Sequence, residues 1–247
     1  MRALVTNDDG VDSAGIRTLA AVAVELGLDV LVAAPSTDLS GTSASLSAVE
    51  DDGRFLFEER SFDGSDVPVF AVEAAPAFIA RAGLHGAFGP PPDIVLSGIN
   101  TGPNTGHSVL HSGTVGAVLT ASTLGVRGVA LSIGFGETKH WDTAARVART
   151  VIQWLLDTTN VVALNVNVPN LAHHELRGLR RAELASVGAV QSSVTEVGEG
   201  YAKITYADVD SELEPGTGAA LRADGYASFT PLLAVCAATG VDTSNLA

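Results

Sequence analysis

The chain has 247 residues, of which 46% are hydrophobic and 17% are charged, so it can form one large core and is not a disordered chain. Its formal net charge is −14, from 28 acidic and 14 basic residues. The resulting negative electrostatic field is expected to repel nucleic-acid polymers and anionic membranes. No stretch approaches the roughly 18 consecutive apolar residues of a membrane span, and the apolar stretch near the N-terminus is too short for a signal-peptide core. We therefore expect a cytoplasmic protein with no membrane partner.

The cysteine content also bears on the compartment. The one cysteine, Cys236, cannot form an internal disulfide and lies in an apolar run at 232–238. Free cysteine usually behaves as a small buried hydrophobe, so we expect Cys236 to be buried and inert.

Short β-rich runs alternate with longer segments of helical spacing, which is typical of a parallel sheet covered by helices. The predicted strands, in chain order, are 2–6, 29–33, 68–72, 93–96, 128–133 and 161–166, and the predicted helices are 14–26, 75–82, 112–124 and 143–156. After residue 169 the apolar runs shorten and alternate, which predicts hairpin strands such as 201–206, a short helix within 216–225 and a last strand at 226–232.

These elements predict an α/β fold in a single domain. Residues 1–170 are expected to form a Rossmann-like parallel-sheet core with helices on both faces, and residues 171–247 a β-rich extension and C-terminal segment. No sequence repeat and no linker rich in proline, glycine or serine divides the chain.

Three polar clusters follow predicted strands, at residues 7–12, 36–47 and 97–116. Ligands of open parallel sheets bind at the carboxyl ends of the strands, so these distant clusters are expected to converge. None of the three contains a lysine or arginine. A phosphate bound there would therefore depend on a metal and on neutral donors.

Asp8 and Asp9 are adjacent carboxylates, and two like charges on one short loop favour a neutralising cation. Oxygen donors without a nearby histidine or thiol favour Mg²⁺, Mn²⁺ or Ca²⁺ over zinc. The alternative is an acidic turn before the helix, with Asp12 or Ser13 as its N-cap.

The third cluster has glycines at 98, 102 and 106, and a second group, Ser112-Gly113-Thr114-Val115-Gly116, opens a predicted helix. Free amides at a helix N-terminus can hold phosphate, although a tight loop with a serine or threonine cap is an equal alternative. The spacing matches neither the dinucleotide fingerprint nor the P-loop.

His107 and His111 lie in the same cluster, four residues apart. They could supply a proton donor, a metal-binding pair on a helix, or plain surface residues. A Ser-His-Asp hydrolase is a weaker alternative, because no G-x-S-x-G sequence occurs in the chain.

Six motifs, in order along the chain, resemble those of the SurE survival-protein family of metal-dependent nucleotidases. They are Thr6-Asn7-Asp8-Asp9-Gly10 with Gly15, Ser40-Gly41-Thr42-Ser43 with Ser45, Ser97-Gly98-Ile99-Asn100, Gly102-Pro103-Asn104 with Gly106, Ser112-Gly113-Thr114-Val115-Gly116, and Leu164-Asn165-Val166-Asn167-Val168-Pro169.

The resemblance implies hydrolysis of nucleoside 5'- or 3'-monophosphates with one divalent ion per subunit, Mg²⁺ or Mn²⁺, with Ca²⁺ as an ion that crystals can contain. It also implies a homodimer or homotetramer joined through the extension. The implied metal ligands are Asp8, Asp9, Ser40 and Asn100. The implied phosphate pocket consists of Gly41, Asn104, Ser112, Gly113 and Thr114.

The chain departs from the family at several positions near these motifs. The family usually has acidic residues at the positions of His107 and Ser108, a tyrosine at His111 and an asparagine at Ala44. All four implied metal ligands are present. Metal-dependent hydrolysis, with His107 as a hypothetical acid for the leaving alkoxide, is therefore the main hypothesis, and a metal- and nucleotide-binding protein with weak or lost catalysis is the alternative.

Overall fold

The computed structural model describes residues 1–185, 190–208 and 213–236, which form thirteen strands, five α-helices and two short 3₁₀ helices. The strands are Arg2–Thr6 (β1), Asp29–Pro35 (β2), Glu50–Asp51 (β3), Arg54–Phe55 (β4), Phe57–Arg60 (β5), Val69–Val72 (β6), Ile94–Thr101 (β7), Arg127–Ile133 (β8), Ala163–Val168 (β9), Leu179–Arg181 (β10), Val190–Gly198 (β11), Tyr201–Asp208 (β12) and Ala227–Leu232 (β13). The α-helices are Ala14–Glu25 (α1), Pro76–Leu84 (α2), Gly113–Thr123 (α3), Trp141–Asp157 (α4) and Gly218–Ala223 (α5), and the 3₁₀ helices are Gly106–His111 and His173–Glu175.

The main sheet has nine strands in the order β10-β13-β9-β8-β7-β1-β2-β6-β5. Every neighbouring pair from β9 to β6 is parallel, whereas β5 and β13 run antiparallel to β6 and β9. The chain passes from β1 to β2 on one side and later returns to β7 on the other side of β1. This reversal opens a crevice at the carboxyl ends of β1, β2 and β7, where ligands of such sheets bind.

Two apolar layers cover the sheet. Successive side chains of a strand point to opposite faces, so Ala3 and Val5 pack in the layer that contains α1 and α4, whereas Leu4 packs in the layer that contains α2 and α3. Both layers are fully buried at their centres. The α/β fold with helices on both faces of a mostly parallel sheet is therefore confirmed.

Several strands near the sheet edges were not predicted. The strands β3, β4 and β5 consist largely of exposed, charged residues such as Glu58 and Arg60, so no alternation of apolar side chains marks them in the sequence. Charged side chains are common on edge strands, because they discourage pairing with other chains. The β11–β12 hairpin pairs only with itself within the described part of the chain.

The prediction that Cys236 is buried is wrong, because its side chain is exposed. The strand β13 ends at Leu232, so the apolar run continues beyond the sheet instead of entering the core. Leu233 and Val235 are accordingly 81% and 92% exposed. Within the described ranges, the structure has no helix with the length and apolar character needed to cross a membrane.

Candidate functional site

Asp8 and Asp9 follow β1 directly, and each accepts two hydrogen bonds from a different neighbouring element. The Thr114 N–H, at the start of α3, donates to Asp8 Oδ2 at 3.1 Å, and the Thr114 hydroxyl donates to Asp8 Oδ1. The Thr101 N–H, at the end of β7, donates to Asp9 Oδ2 at 3.1 Å, and its hydroxyl donates to Asp9 Oδ1 at 3.3 Å. The loops after β1 and β7 therefore converge, as the sequence predicts.

The environment of the two carboxylates disfavours their charge. Burial raises the pKa of the Asp8 carboxyl, against the hydrogen bonds from Thr114 that lower it. Burial, and next the negative charge of Asp8, raises the pKa of Asp9 to about 6. The nearby Asp38 carboxylate adds a smaller upward contribution to both. A cation at this position would offset all of these effects.

The loop after β2 adds a hydroxyl group to the same region. The Leu39 N–H donates to the backbone oxygen of Asp8 at 2.8 Å, which holds this loop against the carboxylates. The N–H and hydroxyl of Ser40 both donate to Asp38 Oδ1, at 2.8 and 2.7 Å. Because the hydroxyl donates its proton there, the lone pairs of its oxygen stay available for a cation.

Asn100 reaches the site through an irregularity in β7. The pairing of β7 with β8 shifts between Ser97 and Asn100. Gly98 lies in this irregular segment with a φ of +128°, and a Cβ atom there would lie 2.3 Å from the Leu131 carbonyl oxygen, so only glycine fits. The side-chain nitrogen of Asn100 donates to the Gly102 carbonyl at 2.7 Å, which leaves the side-chain oxygen Oδ1 as a possible ligand.

These donors fit a hard divalent cation. They comprise two carboxylates with raised pKa values, an amide oxygen and a hydroxyl, which are the oxygen ligands that Mg²⁺, Mn²⁺ and Ca²⁺ prefer. The described residues contain no group of three histidine, cysteine, aspartate or glutamate side chains placed to hold a metal, so they offer no zinc-type site elsewhere.

The N-terminus of α3 approaches the carboxylates closely. A Cβ atom on Gly113 would lie 2.9 Å from Asp8 Cβ and 3.0 Å from Thr42 Oγ1, so glycine permits this contact. The Ser112 hydroxyl caps the helix by accepting from the Val115 N–H at 3.1 Å. The Gly113 N–H, at the first helical position, takes part in none of the described hydrogen bonds and is a donor for an anion.

Asn104 faces away from the carboxylates. Its side-chain nitrogen donates to Ser132 Oγ at 2.8 Å, and its N–H donates to Asn167 Oδ1 at 2.7 Å. Its carbonyl oxygen accepts from the side chains of Asn165 and Asn167, at 2.8 and 2.9 Å. Asn104 is thus buried and fastens the loop after β7 to β8 and β9, which also accounts for the asparagines of the sixth motif.

The remaining sequence-predicted residues form none of the described hydrogen bonds with the Asp8 and Asp9 side chains. Gly41 is exposed and adopts a φ of +82° in the loop after β2. His107 and His111 are both exposed in a 3₁₀ helix, where three residues complete a turn, so a spacing of four does not align them as a metal pair. Of the two N-caps considered for α1, the structure selects Ser13, which accepts from the Ile16 N–H at 3.4 Å.

Sequence reasoning missed Lys139, in the loop between β8 and α4. Its amine donates to the Gly134 carbonyl at 2.8 Å and interacts electrostatically with Asp9. Burial lowers the pKa of Lys139, while the negative charge of Asp9 raises it. The loop after β8 also begins at the carboxyl edge of the sheet. The expectation that loops at this edge converge could therefore have indicated this residue.

Comparison with known proteins decides the family. The family model of the survival protein SurE matches residues 3–191. The chain belongs to the SurE family. It is 38% identical to the 5'/3'-nucleotidase SurE of Proteus mirabilis over 94% of this chain and 89% of that one. It is 36% identical to the 5'/3'-nucleotidase SurE of Escherichia coli over 94% of this chain and 90% of that one.

A solved structure gives the same result. The crystal structure of the SurE protein from Aquifex aeolicus is 31% identical in sequence and superposes with a TM-score of 0.80, over 99% of this chain and 98% of that chain. The SurE-like fold predicted from the six motifs is therefore confirmed along the length of the chain that the structure describes.

Proposed function

We propose that this protein is a metal-dependent phosphomonoesterase that hydrolyses nucleoside 5'- or 3'-monophosphates to nucleoside and phosphate. The observation that carries the proposal is the pair of carboxylates, Asp8 and Asp9, whose pKa values are raised beside the N-terminus of α3. The related nucleotidases named above support the choice of substrate.

The proposed ligands of the ion, Mg²⁺ or Mn²⁺, are Asp8, Asp9, Ser40 and Asn100. When bound, such an ion polarises a phosphoryl oxygen and lowers the pKa of a coordinated water. Asp8 and Asp9 are positioned for this role by Thr114 and Thr101, which fix both carboxylates without neutralising them.

The remaining residues of the site hold the phosphate in this proposal. The Gly113 N–H donates to a phosphoryl oxygen, with Thr114 and the Ser112 cap keeping the helix N-terminus in place. Lys139, which interacts electrostatically with Asp9, offsets part of the phosphate charge. Asn104 acts as a positioning residue, because its bonds to Asn167 and Ser132 fix the loop that directly follows Asn100 and the end of β7.

His107 is the proposed acid for the leaving alkoxide. It lies in the 3₁₀ helix that leads directly to the Ser112 cap, and its ring is exposed to solvent. Imidazole is the side chain that most often serves as a general acid, and an exposed ring is accessible to a leaving group.

We further propose that the protein is a homodimer or homotetramer joined through the β11–β12 hairpin. Val194, Val197 and Tyr201 of this hairpin are 59%, 76% and 57% exposed. Large apolar side chains grouped on a projecting element favour burial against another chain. The net charge of −14 favours a small monophosphate over a long polyanion as the substrate.

The test measures phosphate release from a panel of nucleoside 5'- and 3'-monophosphates with Mg²⁺, Mn²⁺ or Ca²⁺. We expect the Asp9→Asn variant to lose metal-dependent release while it keeps its fold. Asp12→Asn is the matched control, because Asp12 is an exposed carboxylate of the same loop whose one ion pair among the described residues is with Arg17, at 3.5 Å. Full activity of Asp9→Asn would contradict the proposal, and calorimetric nucleotide binding without any release by the wild type would support the non-catalytic alternative.

A further inference from the structure

An exposed aromatic side chain lies at the rim of the proposed site. Phe135 is in the loop between β8 and α4, at residues 134–140, and 53% of its surface is exposed. The loops that follow β1, β2, β7 and β8 at the carboxyl edge of the sheet contain no other phenylalanine, tyrosine or tryptophan. The exposed part of the ring is apolar surface that a bound ligand can cover.

The loop that carries Phe135 is fastened to the protein by one side chain. Asn170 Nδ2 donates to the Phe135 carbonyl at 3.2 Å and to the Thr138 carbonyl at 2.9 Å, while Asn170 Oδ1 accepts from the His140 N–H at 2.9 Å. These three bonds fix both ends of the loop. The backbone that carries the ring is therefore ordered before any ligand arrives, which reduces the entropy lost on binding.

The ring lies beside the proposed metal ligands. A Cβ atom built on Gly102 would lie 3.1 Å from Phe135 Cε1 and 3.7 Å from Asn100 Nδ2, so the ring and the Asn100 amide flank the same point. Lys139, in the same loop, interacts electrostatically with Asp9. One loop thus brings a cation and an aromatic ring to the region of the proposed site.

We propose that Phe135 is a stacking platform for the nucleobase of the substrate. This inference rests on the proposed nucleotidase function and adds a specificity residue to it. In this arrangement the phosphate lies at Asp8 and Asp9, the ribose passes Asn100, and the base lies on the Phe135 ring. Because every base has a π-face, Phe135 distinguishes nucleotides from other phosphomonoesters without selecting one base.

The test compares two substrates that differ only in the base, adenosine 5'-monophosphate and ribose 5-phosphate, with Mg²⁺ and Mn²⁺. Loss of one base–aromatic stack is expected to raise KM for the nucleotide about tenfold in Phe135→Ala. KM for ribose 5-phosphate is expected to stay unchanged in the same variant. Phe135→Trp, which keeps an aromatic face, is expected to retain the wild-type KM for the nucleotide, whereas Phe135→Leu follows Phe135→Ala.

Two results would overturn the stacking role. Equal changes for both substrates would mean that Phe135 acts only by supporting Gly102, and no change for either would mean that the ring does not contact the base. If the wild type releases phosphate from neither substrate, the nucleotidase proposal fails, and calorimetry of the same two ligands then tests Phe135 alone. In that case stacking requires that Phe135→Ala weaken binding of the nucleotide about tenfold and leave binding of ribose 5-phosphate unchanged.

Discussion

The loops after β1 and β7 and the loop after β2 build the same site in different ways. Asp8, on the first, is 3% exposed and is bound by both donors of Thr114. Ser40, on the loop after β2, is exposed, and its N–H and hydroxyl both donate to one neighbour in its own turn, Asp38. The carboxylates are therefore positioned by neighbouring elements of the main sheet and α3, whereas the hydroxyl is positioned by a hydrogen bond within its own turn.

The largest expected effect separates these two kinds of ligand. Asp8→Asn removes a charge that the fold holds in place, so kcat/KM for phosphate release should fall about a thousandfold. Ser40→Ala removes one neutral ligand from an exposed turn, so we expect a loss of about tenfold that excess Mg²⁺ partly restores. Both values come from initial rates measured over a range of Mg²⁺ concentrations. Equal losses in the two variants would mean that the loop after β2 is as essential to the site as the carboxylates.

A second substitution disturbs the loop after β2 and leaves the carboxylates in place. A Cβ atom on Gly116 would lie 2.3 Å from the Ser43 carbonyl oxygen, so Gly116→Ala pushes this loop away from α3. Overpacking of this kind costs about 1–3 kcal/mol of unfolding free energy. We expect a lower Tm and weaker Mg²⁺ binding, measured by thermal unfolding with and without the ion. Thr120→Ala, on the same helix, is the control, and a Gly116→Ala variant with wild-type Tm and Mg²⁺ affinity would contradict the close contact.

The pH dependence of folding stability tests the environment of the buried carboxylates. The pKa of Asp9 is raised from 3.8 to about 6, so the folded state binds this proton more tightly than the unfolded state. The contribution of Asp9 to stability is therefore highest at low pH and falls as the pH rises from about 4 to about 6. Without metal, Asp9→Asn should be more stable than the wild type at about pH 7.5, and this difference should shrink at about pH 5.

Thermal unfolding at the two pH values measures this difference, and added Mg²⁺ should stabilise the wild type more at the higher pH, because the ionised carboxylates bind it. A wild type that gains stability over Asp9→Asn as the pH rises, in the absence of metal, would show that the carboxyl is not strained by burial.

The smallest expected effect concerns His107, which bonds neither to the two carboxylates nor to the turn that contains Ser40. Its ring is exposed and is not among the partners in the described hydrogen bonds. His107→Ala should leave Tm unchanged and lower kcat by less than about tenfold. The role as an acid requires that the alkaline limb of the pH–rate profile change in this variant. A profile identical to the wild type would remove His107 from the mechanism.

The elements with strong apolar patterns could be predicted from the sequence. The strand β1 was predicted with its observed bounds, and α1, α3 and β8 within one residue at either end, because their buried faces impose a clear period. The edge strands β3 to β5 could not be predicted, because their exposed side chains show no regular alternation of apolar and polar residues. The prediction that Cys236 is buried was wrong for a related reason, since an apolar run does not reveal where a strand ends.

Only part of the candidate site could be derived from the residues themselves. Asp8 and Asp9 stand out because adjacent carboxylates are costly, whereas Ser40 and Asn100 have ordinary neighbours and were indicated only by resemblance to the SurE family. Lys139 could have been predicted from the sequence, because it is one of two lysines in the chain and lies in a loop after a central strand. The contact of Phe135 with Gly102 depends on tertiary packing, which no local pattern reports.

The position of β13 has a consequence for the order in which the chain can fold during synthesis. The strand β10 is made earlier, yet within the described residues it joins the main sheet only through β13, which lies between β10 and β9. A nascent chain that has not yet exposed residues 227–232 therefore holds β10 without a neighbour and leaves one edge of β9 unpaired. Completion of this edge must wait until the ribosome has released residues 227–232.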